Sequence, residues 1–172
     1  VEFTDGGAAA TDDAVSIATE DDGAVTVTIC TGGAYRLTGS CANGAVIVDC
    51  AADVTLLLDA LTLTHPDGAC IASIGDGTLT ICPVSGTESS LTDGTGYQFT
   101  DPLTDVPDAV LFAQGDLRLT GSDTGILHIR ALYKTGIASR DMLCMEGGTY
   151  TISSIRHGMH GRDGIAISGG FT

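Results

Sequence analysis

The sequence predicts an all-β chain wound as a right-handed, single-stranded parallel β-helix. Three observations carry that expectation. Gly accounts for 24 of 172 residues, Trp is absent and the only Lys is Lys134; a chain rich in Thr and Val but poor in helix formers reads as strands and turns. Short apolar–polar alternations recur, such as Val25-Thr-Val-Thr-Ile29, and these put one face inward and one outward. A motif also returns in register. Gly136-Ile-Ala-Ser-Arg-Asp-Met-Leu-Cys-Met-Glu-Gly-Gly148 is matched 22 residues on by Gly158-Met-His-Gly-Arg-Asp-Gly-Ile-Ala-Ile-Ser-Gly-Gly170, the self-similarity of a stacked repeat.

Earlier segments carry looser versions. Asp53, Asp76 and Asp116 each stand before an alternating strand, and a second short strand precedes each of them, at Ala45, Ala69 and Ala109. Two or three short strands per coil, joined by Gly or Asp turns, suit a β-solenoid of about six or seven coils. A β-sandwich also has regular short strands, but it does not require one motif to return in register. The expected inward positions are Val46, Val48, Leu56, Leu58, Leu79, Ile81, Leu117, Leu119, Leu143, Met145, Ile165 and Ile167. The length fits a single domain over residues 1–172. Within it, residues 1–12 read as an N-terminal strand or arm. Residues 83–108, polar and rich in Gly and Pro, read as a long loop protruding from the stack.

The net charge of −15 argues against nucleic acid or an anionic membrane surface as partner, because both repel such a chain. It permits calcium, which takes carboxylate oxygens, and it equally suits solubility in salty water. No segment approaches the apolar length of a membrane span, so no membrane insertion is expected. The six cysteines show no CxxC spacing and point to disulfides and an oxidising, extracellular compartment. Cys30, Cys50 and Cys70 recur every 20 residues, so Cys30–Cys50 is the first candidate pair. Cys41, Cys82 and Cys144 are the remaining candidates, and buried free thiols are the alternative. With no initiator Met and no basic leader at Val1, the chain reads as a mature secreted form, extracellular or attached to the cell surface.

From about Gly32 onward the chain resembles a family of secreted bacterial carbohydrate-binding proteins with a right-handed parallel β-helix, similar in shape to pectate lyases. The resemblance is carried by Gly32-Gly-Ala-Tyr-Arg-Leu-Thr-Gly39, Val54-Thr-Leu-Leu-Leu-Asp59, Gly86-Thr-Glu-Ser-Ser-Leu-Thr-Asp-Gly94, Asp108-Ala-Val-Leu-Phe-Ala-Gln-Gly-Asp-Leu-Arg-Leu-Thr-Gly121, Lys134-Thr-Gly-Ile-Ala-Ser-Arg-Asp141 and the Gly158–Gly170 motif. It implies binding of acidic polysaccharide, bound calcium and no catalytic activity. The family pattern has an Asp pair before the Gly-Ile of the last coil, where this chain has His157 before Gly158-Met159.

Asp116, Asp141 and Asp163 are expected at the equivalent turn of successive coils, about 4.8 Å apart. Such a column repels itself. Calcium would neutralise it; an Arg–Asp ladder through Arg140 and Arg162 is the other solution. Lys134, Arg140 and Arg162 are the expected cationic contacts to a sugar carboxylate, and the same three would be the bases of a calcium-dependent lyase. His157 and His160, three apart, could share a metal. Tyr97 and Phe99 could stack on a sugar face or pin the long loop.

The leading reading is therefore an extracellular, non-catalytic β-helix that binds acidic polysaccharide with calcium. The alternative is a subunit that assembles head to tail into a filament or surface layer, with Val1 and Phe3 as apolar anchors and Phe171 at the abutting end. A monomer capped by its own N-terminal strand is the competing outcome at that end.

Overall fold

The computed structural model describes residues 1–97 and 107–169; Phe99 and Phe171 lie outside the described residues. Among the described residues every regular element is a strand. Among the described residues no helix is long and apolar enough to cross a membrane.

The chain opens with β1 (Glu2–Thr4), β2 (Gly7–Ala9) and β3 (Val15–Thr19). Six layers follow. They hold β4 (Val25–Ile29) with β5 (Gly33–Cys41), then β6 (Gly44–Val48) with β7 (Val54–His65), then β8 (Ile71–Ser73), β9 (Leu79–Pro83) and β10 (Glu88–Asp93). The next is β11 (Ala109–Ala113), β12 (Leu117–Leu119) and β13 (Ile126–Ala131), followed by β14 (Thr135–Ser139), β15 (Met142–Met145) and β16 (Thr149–Ser154). The last described layer is β17 (Met159–Gly161) with β18 (Gly164–Ile167).

Each strand pairs in parallel with its counterpart in the next layer. One sheet runs β17-β14-β11-β8-β6-β4-β3, and an 11-stranded sheet contains the path β16-β13-β10-β7-β9-β12-β15-β18. Among the described residues, antiparallel pairing is confined to β1 with β2 and β3 with β4, at the N-terminal end. A sandwich joined by hairpins is thereby excluded.

Alternation explains the core. Along β4 every second residue is buried, Val25, Val27 and Ile29, because successive side chains point to opposite faces. Of the expected inward positions, Val46, Val48, Leu56, Leu58, Leu79, Ile81, Leu117, Leu119 and Leu143 are at most 2% exposed. Met145 is partly buried against the same core. Ile165 and Ile167 depart from the expectation at 43% and 45% exposed. They hold the inward register, opposite Leu143 and Met145, but they belong to the last described layer, and among the described residues no strand pairs on its far side.

Strand β7 serves two faces. Its first half pairs with β9 and its second with β10. The turn between them is a bulge: register with β5 slips after Thr38 and Gly39, and Ala60, the extra residue, takes φ 50°. A bulge bends its strand, and here it carries β7 round a corner of the stack.

The long-loop expectation is corrected in part. Within residues 83–108 lies β10, paired on both sides, with Ser89, Leu91 and Asp93 all buried. Two of those three inward residues are polar, so the hydrophobic period that marks a strand was missing from the sequence. Ser89 is satisfied by the Leu61 amide, which donates to its Oγ at 3.1 Å.

The N-terminal arm closes the stack from its own chain. Strand β1 lies on β5, Phe3 is 1% exposed in the core, and the Val1 ammonium donates to Arg36 O at 2.7 Å. Phe3 is therefore not available as an intermolecular anchor.

Candidate functional site

Seven basic side chains oppose twenty-two acidic ones. Among the described residues, three arginines are neutralised by ion pairs on the surface. Arg36 pairs with Asp59 at 2.6 Å, Arg118 with Glu146 at 2.7 Å, and Arg162 with both Asp141 and Asp163 at 3.2 Å. No ion pair engages Arg140 or Arg156 among the described residues. Both belong to one groove on the outer face of the seven-stranded sheet.

The groove floor is set by register. Phe112 of β11 is opposite Ala138 of β14, and Ala138 is opposite His160 of β17. Phe112 and Ala138 form a small apolar cluster with Ala69, Ala72 and Ala109. Over this floor lie two adjoining hollows of about 130 and about 180 Å3 that share Asp108, Ala138 and His160. Arg140 and Arg162 flank the first, Arg156 and His157 the second.

Backbone bonds place these side chains. The Arg140 amide donates to Ala113 O and the Arg156 amide to Lys134 O, each at 2.9 Å, and the Arg162 amide donates to Ser139 O at 3.0 Å. Gly136 donates to His157 O at 2.9 Å. A Cβ at Gly136 would lie 2.8 Å from Gly158 O and 2.4 Å from Ile152 Cγ2, so glycine admits the turn that carries the two histidines. The rings of His157 and His160 are 5.9 Å apart between centroids.

The three-aspartate column does not form. Asp163 is aligned with Asp141, and its amide donates to Asp141 O at 3.2 Å. Because Leu117 pairs with Leu143, Asp116 falls opposite Met142, one register position away, and its Oδ1 accepts the Met142 amide at 3.1 Å. Arg162 bridges the other two carboxylates, donating from Nη2 to Asp141 and from Nε to Asp163. This is the Arg–Asp arrangement, built by Arg162 without Arg140. Calcium needs several converging oxygens, and these residues do not fit one. No group of three His, Cys, Asp or Glu side chains is gathered closely enough to hold a metal among the described residues, which applies equally to His157 and His160.

Tyr97 and Lys134 stand beside this groove, not among its lining residues. Tyr97 stacks on Tyr133 at 4.6 Å between centroids and donates its hydroxyl to Asp93 Oδ2 at 2.8 Å, while Lys134 Nζ lies 4.9 Å from the Tyr133 ring centre. Asp93 is 1% exposed and also accepts the Leu132 amide at 2.5 Å. Burial pushes its carboxyl pKa up, and burial together with the Asp93 carboxylate pushes the Tyr97 phenol up. Tyr97 thus pins the segment after β10 to the β13–β14 turn. Arg156 and Asp108, absent from the residues picked out by sequence, complete the groove. Neither sits in the repeated motif, and only the stacking of three layers brings them together.

The cysteine expectation is corrected. All six, Cys30, Cys41, Cys50, Cys70, Cys82 and Cys144, are free thiols. Asp49 donates its amide to Ile29 O, so the β4–β6 register extends to place Asp49, not Cys50, opposite Cys30. Cys41 faces Leu63, Cys82 faces Leu57, and Cys144 lies between Arg118 and Ala166. The 20-residue spacing misleads because the layers are unequal: Val25 pairs with Gly44, but Val46 pairs with Ile71.

The chain can be placed among known proteins. It is 30% identical over 124 residues to a carbohydrate-binding domain-containing protein of Acetivibrio thermocellus, covering 71% of this chain and 43% of that one. Its fold is similar to that of a polysaccharide lyase-like protein from C. thermocellum, solved as a gadolinium derivative, with TM-score 0.77 and 26% identity over 87% of this chain and 58% of the other. The chain therefore spans about half the length of these relatives. The model of one family, described as carbohydrate-binding domain-containing protein, matches residues 21–172, and the chain belongs to that family.

Proposed function

We propose that this chain is a non-catalytic module of a secreted, extracellular protein, folded as a right-handed parallel β-helix, that binds acidic polysaccharide in the groove between Asp108 and Arg162. One observation carries the reading. In a chain of net charge −15, the guanidiniums of Arg140 and Arg156 take part in no ion pair among the described residues, and they flank one concave surface over an apolar floor. Guanidinium forks match carboxylates in geometry. Phe112 and Ala138 close the floor but are only 3% and 5% exposed, so the charged groups of the rim, not a stacking platform, make the contacts to a sugar. Arg156 stands at the level of Lys134, before β14, and Arg140 follows β14, so the two arginines come from opposite ends of the strands that floor the groove.

Family membership supports the sugar partner, and the cation pair supports its acidic class.

The test is affinity for polygalacturonate, measured by calorimetry and affinity electrophoresis. Arg140→Ala with Arg156→Ala should weaken binding at least roughly tenfold, since hydrogen bonds to charged groups contribute about 1.5–3 kcal/mol each. Unchanged affinity of the double variant would move the site elsewhere. No binding to any of a panel of uronate polymers would overturn the ligand class.

A further inference from the structure

The groove holds two of the chain's four histidines. His157 and His160 are both exposed, and His160 belongs to both hollows. We propose that this pair makes the groove retain carboxylated polysaccharide more tightly as pH falls from about 7.5 to about 5.5, the range over which imidazole gains its proton. The proposal rests on the reading of the groove as an acidic-polysaccharide site.

The charge inventory explains why the histidines decide. From the segment before β11 comes Asp108, a carboxylate at the centre of the groove. From the end of β14 comes Arg140 and from the turn after β16 comes Arg156. Arg162, after β17, arrives with Asp141 and Asp163 attached, so that triad carries one surplus negative charge. Lys134 is the next cation along the β13–β14 turn and lies over the Tyr133 ring.

With neutral imidazoles, the two guanidiniums are balanced by Asp108 and by the surplus carboxylate of the triad. The lining then has no net charge to draw in an anionic polymer. Protonating both rings gives it two positive charges. A sugar carboxylate behaves as a side-chain carboxyl, with pKa about 4, so it stays ionised throughout the window. The ligand's charge is fixed and the site's charge changes. His157 precedes β17 and His160 lies within it, and both line the same hollow as Arg156.

The experiment is a binding titration of polygalacturonate at constant ionic strength, at pH 7.5 and 5.5. The wild-type protein is compared with His157→Asn/His160→Asn, with His157→Gln/His160→Gln as a second pair, and thermal melts confirm folding. Wild-type affinity should rise roughly threefold to tenfold on acidification, the scale of two added solvent-exposed ion pairs. Both histidine double variants should stay at the pH 7.5 level. A flat wild-type response, or a histidine variant that keeps the full rise, overturns the proposal. Arg140→Ala/Arg156→Ala, run alongside, separates the two readings. If that variant loses affinity while the wild type is flat with pH, the groove stands and the histidine role falls. If the wild type binds at neither pH, both fall.

Discussion

The Tyr97 hydroxyl donates to Asp93 Oδ2 across 2.8 Å, and the same carboxylate accepts the Leu132 amide. One buried acid at the end of β10 thereby ties the segment just after it to the distant turn after β13. Burial raises the Asp93 pKa above its usual value, and the sign of the consequence follows. Between the unfolded and folded pKa the native state holds a proton that the unfolded state has released. Stability therefore falls as pH rises through that window. Denaturant unfolding of wild type and Asp93→Asn from pH 4 to 7 should show the wild type losing stability relative to the variant as pH rises. A constant difference between the two would assign the shift elsewhere.

Gly39 holds the N-terminal cap. It has φ +92°, and a Cβ there would stand 2.0 Å from Phe3 O. Gly39→Ala meets both backbone strain and a clash with β1, and it should destabilise by more than about 1 kcal/mol. Residues 1–12 should become the first site of limited proteolysis. Proteolytic resistance equal to wild type would show that β1 does not depend on this contact.

Arg162 stands between Asp141 and Asp163, and all three side chains are about half exposed. Exposed pairs contribute little, about 0.2–1 kcal/mol each. Arg162→Ala should therefore lower stability modestly, more in low salt than in high salt, by exposing the two carboxylates to each other. Asp141→Asn in the same chain should recover most of the loss. The same cycle run in calcium and in chelator should give equal couplings, and a coupling that vanishes in calcium would reinstate a cation at this turn.

The free thiols should differ widely in reactivity. Cys30 is exposed, whereas Cys70 is fully buried with its thiol pKa pushed up to about 12 by burial. Thiolate is the nucleophile, so native-state alkylation read by mass spectrometry should label Cys30 early and Cys70 only on unfolding. Simultaneous labelling would mean that the layer holding Cys70 opens readily.

By itself the sequence determined the strands with alternating apolar residues, most of their inward faces and their return in parallel layers. These are properties of local alternation and of one repeated motif, and Leu56, Ile81 and Leu119 could be assigned to the core from their neighbours alone. Tertiary structure decided which side chains meet. The layers differ in length, and a register slip of one residue carries a side chain to another neighbour or to the opposite face. That slip separates Asp116 from Asp141 and Cys30 from Cys50. It is also why the groove draws Asp108, Arg140, Arg156 and His160 from different turns of the chain: Arg140 was legible in the repeated Arg-Asp and His160 in its spacing from His157, but Asp108 and Arg156 carry no local signal. Asp93 was illegible for a related reason: a polar residue pointing inward erases the period that would reveal its strand, and hydrogen bonds from groups that the fold brings to it, Leu132, Tyr133 and Tyr97 among them, make its burial tolerable.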